Sequence, residues 1–282
     1  QPAPDAAMRS PQEEITMGGF FTGVESPGMI DWATMPTYNT IMSVAVGAGL
    51  LAVVLFYREL RRAGGTAGVA DSAGSKWRGG RHALSTDGWA LIFGVLGLIL
   101  TLTGLHMTLT WPLAAGGFAF DNVIFGETSL AFGVLMLAAA WYLWKRGADL
   151  KADADPLGMA ASTVKPLSIF IAALGLALFA IALAGTVYQL FAAPPQEPIS
   201  GAFADYPVIE ATFMSLLFAL VGLGAVLFPF AVRKVLSTPV DAQVGGAAIS
   251  VTGVVWTITG IVFVLFGAMN FYTHIGLIVN TM

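Results

Sequence analysis

Cysteine is absent from this chain of 282 residues. That excludes disulfides, thiolate metal ligands, iron–sulfur clusters and cysteine nucleophiles together, and it leaves the redox compartment unmarked. Charge is scarce as well: Asp, Glu, Lys and Arg make up 11% of the residues, against about 25% in a soluble globular protein. Thirteen basic side chains face seventeen acidic ones, so there is no basic face, and nucleic acid is excluded as a partner. Glycine-rich phosphate loops and the GxSxG, HExxH and CxxC patterns are missing too. What takes up the space is apolar: 56% of residues are hydrophobic, and the mean hydropathy is +0.78. Too little polar material remains to cover a water-facing surface, which rules out a solvated enzyme domain and a disordered chain. The lipid bilayer is the solvent that fits.

A hydrocarbon layer about 30 Å thick takes about 20 apolar residues of helix. Six stretches qualify, roughly 38–57, 89–109, 123–143, 167–190, 208–230 and 249–271, separated by breakers such as Gly64-Gly65, Asp155-Pro156 and Pro194-Pro195. The expected fold is all-α, a bundle of six transmembrane helices over residues 37–282, preceded by a polar arm at 1–36. Twelve of the thirteen basic residues follow spans 1, 3 and 5, and Arg9 stands alone on the other side. The positive-inside rule then turns both termini outward, to the periplasmic face of an inner or plasma membrane. Residues 1–15 are polar and begin without Met, as expected of a mature N-terminus left by signal-peptide cleavage. Residues 17–21 and 29–32 are placed on the membrane surface or against a partner.

The spans resemble one another. The inner ends of spans 1, 3 and 5 read LFYREL, YLWKRG and FAVRKV, about 87 residues apart, and spans 2 and 4 align without a gap, Gly97 falling on Gly175. In span 6, Gly260 and Gly267 repeat the spacing of Gly97 and Gly104. Three parallel helix hairpins, formed by spans 1–2, 3–4 and 5–6, are expected from this pattern. The glycines also allow helix backbones to approach closely in lipid.

An ionisable group within a membrane helix requires a partner or a function. Such groups gather at the outer ends: His106 near the end of span 2, Glu127 at the start of span 3, Glu210 at the start of span 5 and His274 at the end of span 6. Asp31, Asp121 and Asp205 lie at the outer rim. Imidazole and carboxylate at one level of a bundle suit a transition metal, with copper or iron favoured, and His106, Glu127, Glu210 and His274 are the candidate ligands. Asp31 or Asp205 would complete the shell. The two histidines could instead hold a b-type haem. A third reading is purely structural, because Glu127 and Glu210 stand where a carboxylate caps a helix N-terminus. His82 reads as a solvated loop residue.

Two neighbouring blocks, GLHMTLTWPL over 104–113 and NVIFGETSLAFG over 122–133, resemble DUF981, a family of membrane proteins without assigned activity. Its G-x-H-M…T-W-P-L and N-x-x-F-G-E-x-S segments fit residue by residue at His106, Met107, Trp111, Pro112, Asn122, Gly126, Glu127 and Ser129. The resemblance implies a bundle of membrane helices and puts His106 and Glu127 in the shared block. The expected function is a subunit of a membrane oxidoreductase complex, with a metal or redox site at the outer leaflet acting on a small apolar or quinol-like substrate. Its partners would be other membrane subunits or further copies of itself. The alternatives are a structural or assembly subunit without metal, a haem-binding anchor and a small-molecule transporter.

Overall fold

A computed structural model describes residues 17–33, 35, 38–66, 84–110 and 119–282. Residues 1–15, most of the loop 63–81, His82, Trp111 and Pro112 lie outside them. Among the described residues every regular element is a helix. A short α1 (Met17–Thr22) precedes α2 (Asn39–Thr66) and α3 (Thr86–Leu109). A π-helical turn, Asn122–Glu127, leads into α4 (Thr128–Ala152), and α5 (Pro156–Val164) follows with Asp155 as N-cap and proline in its first turn. Then come α6 (Ser168–Tyr188), a 3-10 turn at Ser200–Phe203, α7 (Pro207–Ser237) and α8 (Ala247–Thr281).

Six of these helices, α2, α3, α4 with its π turn, α6, α7 and α8, are long and apolar enough to cross a membrane. This is the six-span bundle that hydropathy leads one to expect. A helix satisfies its own backbone hydrogen bonds, which is why apolar sequence of this length settles into one when the solvent is lipid.

The helices pack as three tight pairs, α3 with α4, α6 with α7, and α2 with α8. These are spans 2–3, 4–5 and 6–1, one span out of step with the hairpins expected from the repeat. The reason lies in the glycines. A Cβ on Gly97 would fall 3.0 Å from the Gly133 carbonyl oxygen, one on Gly175 2.8 Å from that of Gly222, and one on Gly260 3.0 Å from that of Gly47. Gly47, Gly133 and Gly222 are 86 and 89 residues apart, so the threefold pattern is present, but each even span meets the odd span that follows it. For span 6 that partner is span 1, and the chain closes on itself without a covalent link.

The arm fastens this closure. Ser26 N–H donates to the Asn280 carbonyl (2.7 Å), Gly28 N–H to the Thr281 carbonyl (2.9 Å) and the Trp32 indole N–H to the Thr281 hydroxyl (3.0 Å). The Asn280 amide donates back to the carbonyls of Thr22 (2.6 Å) and Gln196 (2.8 Å). Between these contacts Gly23 takes φ +73°, and a Cβ there would meet the Gln196 carbonyl oxygen. Only glycine fits so close a crossing. Residues 17–33 therefore lie against the chain's own α8 and the 189–206 connection.

Candidate functional site

The three pairs are close within themselves and looser between one another. Between them lies a cavity of about 510 Å³, within the 300–1,000 Å³ of small-molecule sites. Its middle is walled by Leu50, Phe132, Met136, Phe218, Trp256 and Phe263. No Asp, Glu, Lys, Arg or His is among its described lining residues, whereas eleven aromatic side chains are. Such a wall offers dispersion and quadrupole contacts and nothing to neutralise a charge.

On one side the cavity reaches the bundle surface. Trp141 of α4 and Leu167, just before α6, both line it, and Trp141 is 63% exposed. Helices α4 and α6 are not among the well-packed pairs. The cavity thus opens on the apolar outer surface of the bundle beside these two helices.

The cavity is apolar along most of its length; at one end the hydroxyls of Tyr142 and Thr163 bond to each other (3.3 Å), and the end near the C-terminus is polar without such pairing. Asn39, Ser129 and Asn270 line it there. The Oδ1 atoms of Asn39 and Asn270 are buried without a hydrogen-bond partner. Asn270 is 7% exposed and Ser129 5%. A buried acceptor without a donor costs about 1–3 kcal/mol, so native proteins leave few of them.

About one helical turn beyond this end stand three of the ionisable residues. Asp121 precedes Phe125, Glu210 precedes Met214, and His274 follows Asn270, each by four positions, and the inner member of each pair lines the cavity. Asp121 and Glu210 are repeat equivalents, both twelve residues before a seam glycine, Gly133 or Gly222. Burial pushes the Asp121 carboxyl up to about 7, because water no longer solvates its charged form. Glu210 accepts a hydrogen bond from the Ala193 N–H (2.7 Å). Glu197, buried in the 189–206 connection, comes within 3.7 Å of His274 Nε2. Between this rim and the cavity, Phe191 packs on Phe125 and Phe218 at ring-centroid distances of 6.2 and 5.6 Å.

The four residues singled out as metal ligands are distributed as follows. His274 approaches Glu197, and Glu210 is bonded to the Ala193 N–H, as just described. His106 is elsewhere: its Nδ1 lies 2.7 Å from the Tyr38 hydroxyl at the foot of α2, and the ring is exposed. Glu127 is exposed and makes no hydrogen bond or ion pair among the described residues. Among those residues no three His or acidic side chains group closely enough to hold a metal ion. Asp31 and Asp205 are exposed on the arm and the 189–206 connection.

The shared block around His106 and Glu127 has a structural role. Asn122 donates its amide to the carbonyls of Met107 and Thr110 (3.1 Å to the latter), and a Cβ on Gly126 would fall 3.0 Å from the Met107 side chain. These residues clamp the end of α3 to the start of α4. The π turn is part of that clamp, since it contains both Asn122 and Gly126. Attention to ionisable groups alone overlooks Asn39 and Asn270, which are neutral, and Glu197, which sits in a proline-rich loop. An Asn at the outer end of span 6, four residues before His274, was the available signal.

The family model described as a protein of unknown function, DUF981, matches residues 35–276. No curated protein and no solved structure matches the chain significantly.

Proposed function

The chain belongs to the DUF981 family, which lends it no activity, and we propose that it is an integral membrane protein that binds a lipid-soluble molecule inside its helix bundle. The observation that carries the reading is the cavity: about 510 Å³, aromatic-walled, without Asp, Glu, Lys, Arg or His among its described lining residues, and open beside α4 and α6. A site of that character in water would collapse or collect detergent-like partners, whereas in a bilayer it exchanges with molecules already dissolved in hydrocarbon. Twelve of thirteen basic residues follow spans 1, 3 and 5 in the sequence, which supports an outward orientation for the polar end.

A photoreactive alkane, hexadecane bearing a diazirine, tests this in lipid nanodiscs. Peptides containing Phe132, Phe218 and Trp256 should carry label, and Ala225→Trp, which fills the cavity from α7, should remove it. Lipid-facing Leu91 and Ile169, 71% and 77% exposed, provide the reference. Label confined to such outward residues would overturn the reading.

A copper or iron centre in a redox complex is the second reading. The one observation in its favour is the approach of His274 Nε2 to the Glu197 carboxylate at 3.7 Å. Metal analysis with an optical spectrum of the purified protein tests it: one copper or iron per chain, lost in His274→Ala, is its expected result. A folded, metal-free wild type would set it aside.

A further inference from the structure

The apolar cavity ends in hydrogen-bonding groups that have nothing to bond. Asn39 reaches it from α2, Asn270 from α8 and Ser129 from α4. Both asparagine Oδ1 atoms are buried without a donor, and the Ser129 hydroxyl has no partner among the described residues. By contrast, Ser43 on the same wall is satisfied by the Phe263 carbonyl (3.0 Å). The unmet groups are thus confined to one end, and a carboxamide and a hydroxyl offer both donors and acceptors there. No cation is present on the wall to balance an anion, and no anion to balance a cation.

We infer that the occupant is a neutral lipid with a hydroxyl or carbonyl head, its chain or ring system among the aromatic side chains and its head between Asn39, Ser129 and Asn270. A phosphate, sulfate or ammonium head is excluded by the cost of an unpaired charge at this depth. A bare hydrocarbon fits the wall but leaves the carboxamides unmet, and a site built to hydrogen-bond a head discriminates against a molecule lacking one. The inference rests on the cavity being a binding site, and the test separates the two claims.

In nanodiscs holding the full chain, the diazirine label is competed with hexadecanol, hexadecane or hexadecyl sulfate. Hexadecanol should displace it at about one tenth the concentration that hexadecane needs, and hexadecyl sulfate should do no better than hexadecane. Asn270→Leu should reduce the advantage of the alcohol to less than about threefold while leaving hexadecane unchanged, and Asn39→Leu should act in the same direction. Equal competition by alcohol and alkane in the wild type overturns this inference and leaves the cavity reading standing. Preferential competition by the sulfate overturns it as well. Absence of cavity labelling overturns both. Because the wild-type comparison needs no variant, the outcome does not depend on how the leucine proteins fold.

Discussion

Adding one methyl group at Gly47 should weaken the bundle more than the same change at Gly253. A Cβ on Gly47 would lie 2.6 Å from both the Gly260 carbonyl oxygen and the Val264 amide nitrogen. Both are backbone atoms, so no side chain can rotate aside. To reach the 3.4 Å of ordinary contact, α2 and α8 must part by about 0.8 Å, and a gap of 0.5–1 Å forfeits a quarter to a half of each contact it opens. Overpacking of this kind costs about 1–3 kcal/mol, and Gly47→Ala belongs at the upper end because the seam joins two helices with no short loop between them. Gly253, on α8 itself, has nothing within 4 Å of its Cβ position. Alanine there removes freedom from the unfolded chain and should be neutral or stabilising by about 0.4–1 kcal/mol. Unfolding in mixed detergent micelles, followed by tryptophan fluorescence, measures the difference. If the two variants unfolded together, close glycine seams would not be what holds the pairs.

Three further outcomes follow from the same structure. Asp121 has a folded pKa raised from 3.8 to about 7; the folded state then holds its proton where the unfolded chain has released it, so the stability this confers is complete below pH 4 and lost as pH rises to 7, by about 4 kcal/mol at most. Asp121→Asn should be more stable than wild type at pH 8, and the difference between the two should vanish at low pH in a pH series of unfolding midpoints. Asn280→Ala removes both amide bonds to the arm and its neighbouring loop, which should cost about 1–3 kcal/mol and make residues 17–33 cleavable by protease while the helices stay intact. Since the chain has no native cysteine, Glu25→Cys and Asp241→Cys report sidedness cleanly: an impermeant maleimide on intact cells should label the first alone, and labelling of the second would reverse the orientation.

Architecture was legible in the sequence because it follows from local quantities. Six apolar runs and 11% charge leave a helical bundle in lipid as the outcome, and the glycine spacing already contained the seams at Gly97, Gly175 and Gly260. Which helices those seams join was not legible, since a glycine marks a close approach without naming its partner. Hairpin logic favours sequence neighbours, and it has no means of joining α8 to α2. The site was read through charge, which led to His106 and Glu127; in the structure the block around them works through Asn122 and Gly126 to lock α3 on α4. The acidic side chain that approaches His274 is Glu197, which the charge pattern of the spans does not include because its position depends on the fold of the 189–206 connection. A cavity cannot be read from hydropathy, because it depends on where side chains fail to meet.

That failure has a definite origin in the packing. Glycine against glycine brings two backbones together along each seam, and the contact satisfies the small faces of both helices. The residues left on the inner faces are large: Phe125, Phe132, Phe218, Trp256, Phe263 and Phe266. Six helices arranged as three tight pairs meet in the centre across these rings, some edge to face, as Phe218 with Phe263 at 82°, and some stacked, as Phe228 with Trp256 at 25°. Such arrangements do not interdigitate as aliphatic layers do, and a volume remains. A water-soluble protein would lose stability to a void of this size. In a bilayer the same volume can be filled from the side by molecules that cost nothing to desolvate, provided the wall has an opening and the pairs do not close over it. The weak packing of α4 on α6 supplies the opening, and the unmet amides of Asn39 and Asn270 supply the one point along the cavity where an occupant's orientation would be fixed. Tight seams and a hollow centre are therefore consequences of one division of labour along each helix: small residues face the partner within a pair, and aromatic residues face the other pairs.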